Sequence, residues 1–146
     1  SHARVVNLSS AAQAPINLYA LSGKLPLHDH MAAYAQSKLA ITIWTQSLAN
    51  ELKNNGPSII AVNPGSLLAS KMVKEGFGMP GNDIAIGANI LMKAALSDEF
   101  SNVSGQYFDN DIAQFSLAHP DAQNDKKCES IMSCINQILK RDLGVH

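Results

Sequence analysis

A chain of 146 residues with 46% hydrophobic, 16% charged and 5% aromatic content is enough for one globular core and implies one domain. Its formal net charge of −1, with both signs interspersed, offers no basic stripe for nucleic acid and no cationic amphipathic helix for a membrane surface. No apolar run approaches the roughly 20 residues of a transmembrane helix and the start lacks a signal-peptide layout, so a soluble cytoplasmic protein with small-molecule or protein partners is expected.

Ser1 stands where a methionine would start a natural chain, and an apolar run follows almost at once at Val5 and Val6. A buried strand so near the start suggests that a front half is missing. "RVVNLSS" (4–10) reads as a strand of a parallel sheet buried on both faces. The next twenty or so residues, punctuated by Pro15, Gly23 and Pro26, read as a long loop with at most a turn of helix, and loops of that length usually carry function. From Met31 to Lys53 the pattern is helical, with Leu39, Ile43, Leu48 and Leu52 near one face and "NNG" (54–56) as a stop. "SIIAVNPG" (58–65) is a second buried-type strand, and residues 66–82 look flexible. Asn82 or Asp83 can cap a helix over 84–96. A third strand is expected in "GQYFDND" (105–111), then a helix from about Pro120 to Asp142 with Cys128, Ile131, Met132, Ile135, Ile138 and Leu139 as its apolar stripe. Six residues apart on that helix, Cys128 and Cys134 are too distant for a disulfide and are expected to be free.

This alternation predicts right-handed crossovers and a parallel α/β sheet. Ligands bind such sheets outside the carboxyl ends of the strands. Ser9–Ser10, Pro64–Gly65 and Asp109–Asp111 mark those ends.

Tyr34 and Lys38, in "AAYAQSKLA" (32–40), lie four apart on a helix and so share a face. A free tyrosine has a pKa of about 10, and a neighbouring cation favours the phenolate, which would make Tyr34 a usable acid/base. Two other motifs carry less. "GFGMPG" (76–81) satisfies the dinucleotide-binding glycine pattern, but no strand precedes it and Pro80 interrupts it, so it reads as a glycine-rich loop. "HDH" (28–30) reads as a polar loop, because two alternate histidines without a third clustered ligand make no metal site. No metal is expected.

In order, "VVNLSS", Y-A-Q-S-K on a helix and "AVNPGSLLASKM" together resemble the short-chain dehydrogenase/reductase family. The resemblance covers residues 4 to about 111 well and the last helix more loosely. The gap of 24 residues from Ser10 to Tyr34 looks like the retinol-dehydrogenase-like subset. The fold implied is a Rossmann-like doubly wound parallel sheet, present in part. The three strands would be the fifth to seventh of seven, with the N-terminal nucleotide-binding half absent.

The activity implied is interconversion of a carbonyl and an alcohol by hydride transfer with NAD or NADP. Ser10 falls on the family's serine, which hydrogen-bonds the substrate oxygen, with Ser9 as the alternative, since successive strand residues face opposite sides. Tyr34 would transfer the proton, and Lys38 would act on the phenol and on the nicotinamide ribose. Pro64 and Gly65 would form the turn under the nicotinamide, with backbone of Leu67 or Leu68 and the Ser70 hydroxyl near the carboxamide. At the position before Ser70, where relatives carry the hydroxyl, this chain has Ala69.

A second reading is a non-catalytic fragment or oligomerisation module. In helix 84–96 only Asn89 and Lys93 are polar, so most of its circumference calls for burial. The resemblance implies homo-oligomers through helices 31–53 and 84–96.

Overall fold

In a computed structural model, residues 3–53 and 55–145 are described, so Ser1 and Asn54 of the readings above lie outside them. Four strands form one sheet: β1 (Arg4–Leu8), β2 (Ser58–Asn63), β3 (Tyr107–Asp109) and β4 (Gln114–Ser116), in that spatial order. The β1–β2 and β2–β3 pairs are parallel, as the pattern implied. The β3–β4 pair is antiparallel and was not anticipated. β4 has only three residues, and its turn reaches positive φ at Ala113 rather than at a glycine or asparagine, so nothing in the sequence marks a hairpin.

Crossover α2 (His30–Leu52) joins β1 to β2 and packs with α5 (Asp125–Leu143) on one face of the sheet. Leu39, Ile43, Ala61, Tyr107 and Ile131 form the core there. On the other face lies α4 (Ile84–Leu96), whose Ile90 and Ala94 pack in one cluster with Ile60, Val62 and Phe108. Phe100, Phe108 and Phe115 close that core with ring centroids 5.1–5.2 Å apart. Consecutive β2 residues thus serve opposite cores, as a central strand covered on both faces requires.

β1 departs from the expectation of burial on both faces: Val5 is 39% and Leu8 46% exposed. Its only strand neighbour among the described residues is β2, so half its flank has nothing against it. Side chains fasten it instead. Arg4 donates to the carbonyls of Ala94 and Ser97 at 3.1 and 2.7 Å, satisfying the C-terminal end of α4. Asn7 donates to Thr45 at 2.9 Å, and Ser9 shares a 2.6 Å hydrogen bond with Thr42.

Caps set the helix starts. Asp29 accepts from the amides of Met31 and Ala32 at the head of α2, and Asp83, one of the two expected caps, accepts from Ala85 at the head of α4. Two short helices interrupt the loops: α1 (Leu18–Leu21), capped by Asn17, is the single turn the long loop was allowed, and α3 (Lys71–Phe77), capped by Ser70, occupies a stretch expected to be flexible. The last helix is a 3-10 turn at Pro120–Gln123 followed by α5.

Candidate active site

The carboxyl ends of β1 and β2 open into a cleft of about 370 Å³, lined in part by Ser10, Tyr34, Lys38, Pro64, Gly65, Leu67 and Ser70. The residues given roles by the resemblance therefore meet in one place, whereas Asp109–Asp111, the third strand end, do not line it. The volume lies within the roughly 300–1,000 Å³ typical of small-molecule sites. Met31, Leu68, Met72, Val73, Phe77 and Ile84 give the cleft an apolar wall, and Ser9, Asn63 and Ser66 also line it.

The two serines after β1 divide as strand alternation requires. Ser9 is 3% exposed; its amide donates to the Val62 carbonyl at 2.8 Å and its hydroxyl is taken up by Thr42. Ser10 is half-buried at the cleft, and its Oγ accepts from the Ala12 amide at 3.0 Å, which leaves its O–H as a donor. Its carbonyl receives Gln13 Nε2 at 2.8 Å and the Tyr107 hydroxyl at 3.3 Å, while Gln13 Oε1 accepts from the His119 amide at 2.9 Å. Burial, and then the nearby carboxylates of Asp109 and Asp111, push the Tyr107 phenol well above its ordinary value, so it stays a neutral donor.

Tyr34 and Lys38 project from the first turns of α2 toward the same cleft. The Lys38 ammonium stands 5.4 Å from the centroid of the Tyr34 ring and donates to the Leu8 carbonyl at 3.0 Å. That bond ties the ammonium to the last residue of β1, one residue before the serine pair.

After β2 the chain turns sharply through Pro64, Gly65 and Ser66. Gly65 has φ 137°, and a side chain there would meet Leu68 at 3.3 Å. Leu67 also has positive φ, at 52°; its carbonyl accepts from the Asn82 amide, and the Ala69 amide donates to the Asn82 carbonyl, both at 2.7 Å. Ser70 Oγ accepts from Val73 at 3.3 Å as the cap of α3, so its hydroxyl serves the helix and lines the cleft at once.

Sequence reasoning passed over Asn63, which is 2% exposed. Its amide nitrogen donates to Asp109 and Asp111, both at 2.9 Å, and its side-chain oxygen accepts from Gly65 at 3.2 Å. Burial favours the neutral form of Asp111, but hydrogen bonds from the Ser66 hydroxyl and amide and from Asn63 outweigh it and hold its carboxyl below the usual value. The sequence signal was a polar residue ending an otherwise apolar strand. Of the motifs set aside, "GFGMPG" forms the end of α3 and the loop behind it, and "HDH" supplies the cap of α2. Among the described residues no three His, Cys, Asp or Glu side chains gather to hold a metal, no helix is long and apolar enough to cross a membrane, and both cysteines are free.

No family model matches the sequence. The chain is 31% identical to retinol dehydrogenase 12 of Bos taurus over 94% of its own length and 46% of that protein's. It is 30% identical to retinol dehydrogenase 13 of Mus musculus over 73% of its length and 36% of that protein's. The chain thus spans less than half the length of these curated relatives. A crystal structure of an uncharacterised protein from Mycobacterium paratuberculosis shares the fold, with a TM-score of 0.66 at 23% identity over 94% of this chain and 50% of that one. The sequence match to retinol dehydrogenases along nearly the whole chain places it in the short-chain dehydrogenase/reductase family.

Proposed function

We propose that this chain carries the acid–base centre of an NAD(P)-dependent oxidoreductase that interconverts a carbonyl and an alcohol. The observation behind this reading is the convergence of the Ser10 hydroxyl, the Tyr34 phenol and the Lys38 ammonium on one cleft beside the Pro64–Gly65 turn. The residues fit a nicotinamide. The turn presents an almost side-chain-free floor at Gly65, Lys38 offers a fixed cation for a ribose, and Leu67, Leu68 and Ser70 flank the floor. When bound, that group supplies or accepts the hydride.

Everything else falls to the protein. In the reducing direction Ser10 donates its free O–H to the substrate oxygen, which polarises the carbonyl and places it against Tyr34. Tyr34 gives its phenolic proton to that oxygen as negative charge develops there, and takes it back when an alcohol is oxidised. Lys38, anchored on the Leu8 carbonyl, offsets the negative charge left on the Tyr34 oxygen. The apolar wall from Met31 to Ile84 suits a substrate with a hydrophobic body, in keeping with relatives named retinol dehydrogenases.

Tyr34→Phe in the full-length polypeptide tests the assignment. Turnover should fall by about 10²–10⁴-fold, the usual worth of a general acid, while cofactor affinity stays near its original value. Lys38→Met should weaken both. Turnover of Tyr34→Phe within a few-fold of the unsubstituted protein overturns the reading. Self-association is a further part of the proposal, supported by Ile84, Met92 and Leu96 on α4, which are 57%, 59% and 75% exposed.

A further inference from the structure

The turn proposed to face the nicotinamide is held from outside the cleft. Five polar groups of its backbone are satisfied, four by residues from elsewhere in the chain and one by the Asn63 side chain of the turn itself. The Asn63 carbonyl accepts from the Asn110 amide at 3.0 Å, and the Pro64 carbonyl from Asn110 Nδ2 at 2.9 Å. The Gly65 amide donates to Asn63 Oδ1, the Ser66 amide to Asp111 Oδ1 at 2.8 Å, and the Ser66 carbonyl accepts from Asn82 Nδ2 at 3.2 Å. Asp111 Oδ2 takes two further donors, the Ser66 hydroxyl and, at 2.9 Å, Asn63 Nδ2. An Asp111 N–H···Asp109 Oδ1 bond at 3.0 Å folds the "DND" loop into the shape that offers these groups.

Asp111 therefore meets three donors and no acceptor. Only an ionised carboxylate, which accepts everywhere and donates nowhere, satisfies that arrangement; an asparagine would bring its own N–H₂ against donors already pointing at it. Ser66 and Asp111 themselves are exposed.

From this geometry we infer that Asp111 is a positioning residue for the cofactor site, fixing the Pro64–Gly65–Ser66 turn through Ser66 and Asn63 without touching cofactor or substrate. The inference rests on the reading of that turn as the nicotinamide floor. It places a determinant of cofactor affinity on the loop after β3, 45 residues along the chain from the turn it holds.

The test compares Asp111→Ala, Asp111→Asn, Ser66→Ala and Ser66→Ala/Asp111→Ala with the unsubstituted full-length polypeptide. NADPH and NADH affinities are measured by fluorescence titration, hydrogen exchange is followed at the amides of residues 65–67, and kcat and KM are measured separately. Losing charge-assisted bonds at Asp111 should weaken cofactor binding by about tenfold or more and speed exchange at those amides by a similar factor. At saturating cofactor kcat should change far less, because Ser10, Tyr34 and Lys38 are untouched. Asp111→Asn should behave like Asp111→Ala. The double variant should be little worse than Asp111→Ala, since both changes cut one connection. Cofactor affinity and local exchange unchanged in Asp111→Ala would overturn this inference alone. If the unsubstituted polypeptide binds neither dinucleotide, the proposed function and the inference fall together.

Discussion

Ser9 and Ser10 differ by one position in the chain and by their whole chemistry in the fold. Ser9 spends its hydroxyl on buried Thr42, so Ser9→Ala should lower stability by about 1 kcal/mol, the net worth of a buried hydrogen bond, and leave turnover close to unchanged. Ser10→Ala should do the reverse, sparing the melting temperature and costing most of the activity. Thermal unfolding and a turnover assay on the two variants separate the roles; a large stability loss from Ser10→Ala with normal turnover would reverse the assignment. Much of the site was legible at this scale, because helical spacing unites Tyr34 with Lys38 and strand alternation lets only one of two serines face a ligand. Asn63 and Gln13 were not legible as site residues, and Asp111 only as part of a strand end. Their partners lie elsewhere in the chain, Asp109 being 46 residues from Asn63 and His119 106 from Gln13, and no local pattern encodes such distances.

At the scale of elements, length decided what could be read. β2, α2, α4 and α5 span enough residues for their periodicity to show, whereas α1, α3 and β4, at four, seven and three residues, are shorter than the windows in which a period is visible. The stretch containing α3 also holds three glycines with separate roles. Gly76 sits inside the helix with open space around it, so Gly76→Ala should stabilise α3 by about 0.5–1 kcal/mol. Gly81 has φ 77°, and a Cβ there would lie 2.7 Å from the Leu67 carbonyl and 2.9 Å from Ala69 backbone. Gly81→Ala should therefore break the pairing of 67–69 with Asn82 and loosen one wall of the cleft. Limited proteolysis within 70–82 should be slower in the first variant and faster in the second; equal rates in both would show that the wall is not held by that pairing.

At the scale of the whole molecule, among the described residues the sheet has no strand beyond β1, whose open edge is flanked by exposed Val5 and Leu8. Such an edge is a template for another strand. Residues 1–146 prepared alone should self-associate with rising concentration, and Val5→Lys should shift light scattering toward the monomer; a monomer at all concentrations would show the edge to be protected. The layer order and the parallel crossovers were legible from the strand–helix alternation. The exposure of the Val5 and Leu8 side chains was not, because composition shows that a strand is apolar and not how far its faces are covered. The order in which the chain folds follows from contacts already described. Within α2 the helical contacts are local, whereas Asp111 reaches the Ser66 amide across 45 residues and Tyr107 reaches back 97 to Ser10. Loop closure of that length is paid late in folding. A refolding chain should thus acquire the fluorescence of Trp44, inside a helix of local contacts, before it acquires protection at the Ser66 amide, which waits for Asp111 to arrive from the loop after β3. The helix that bears Tyr34 and Lys38 would then stand before the turn opposite it is fastened.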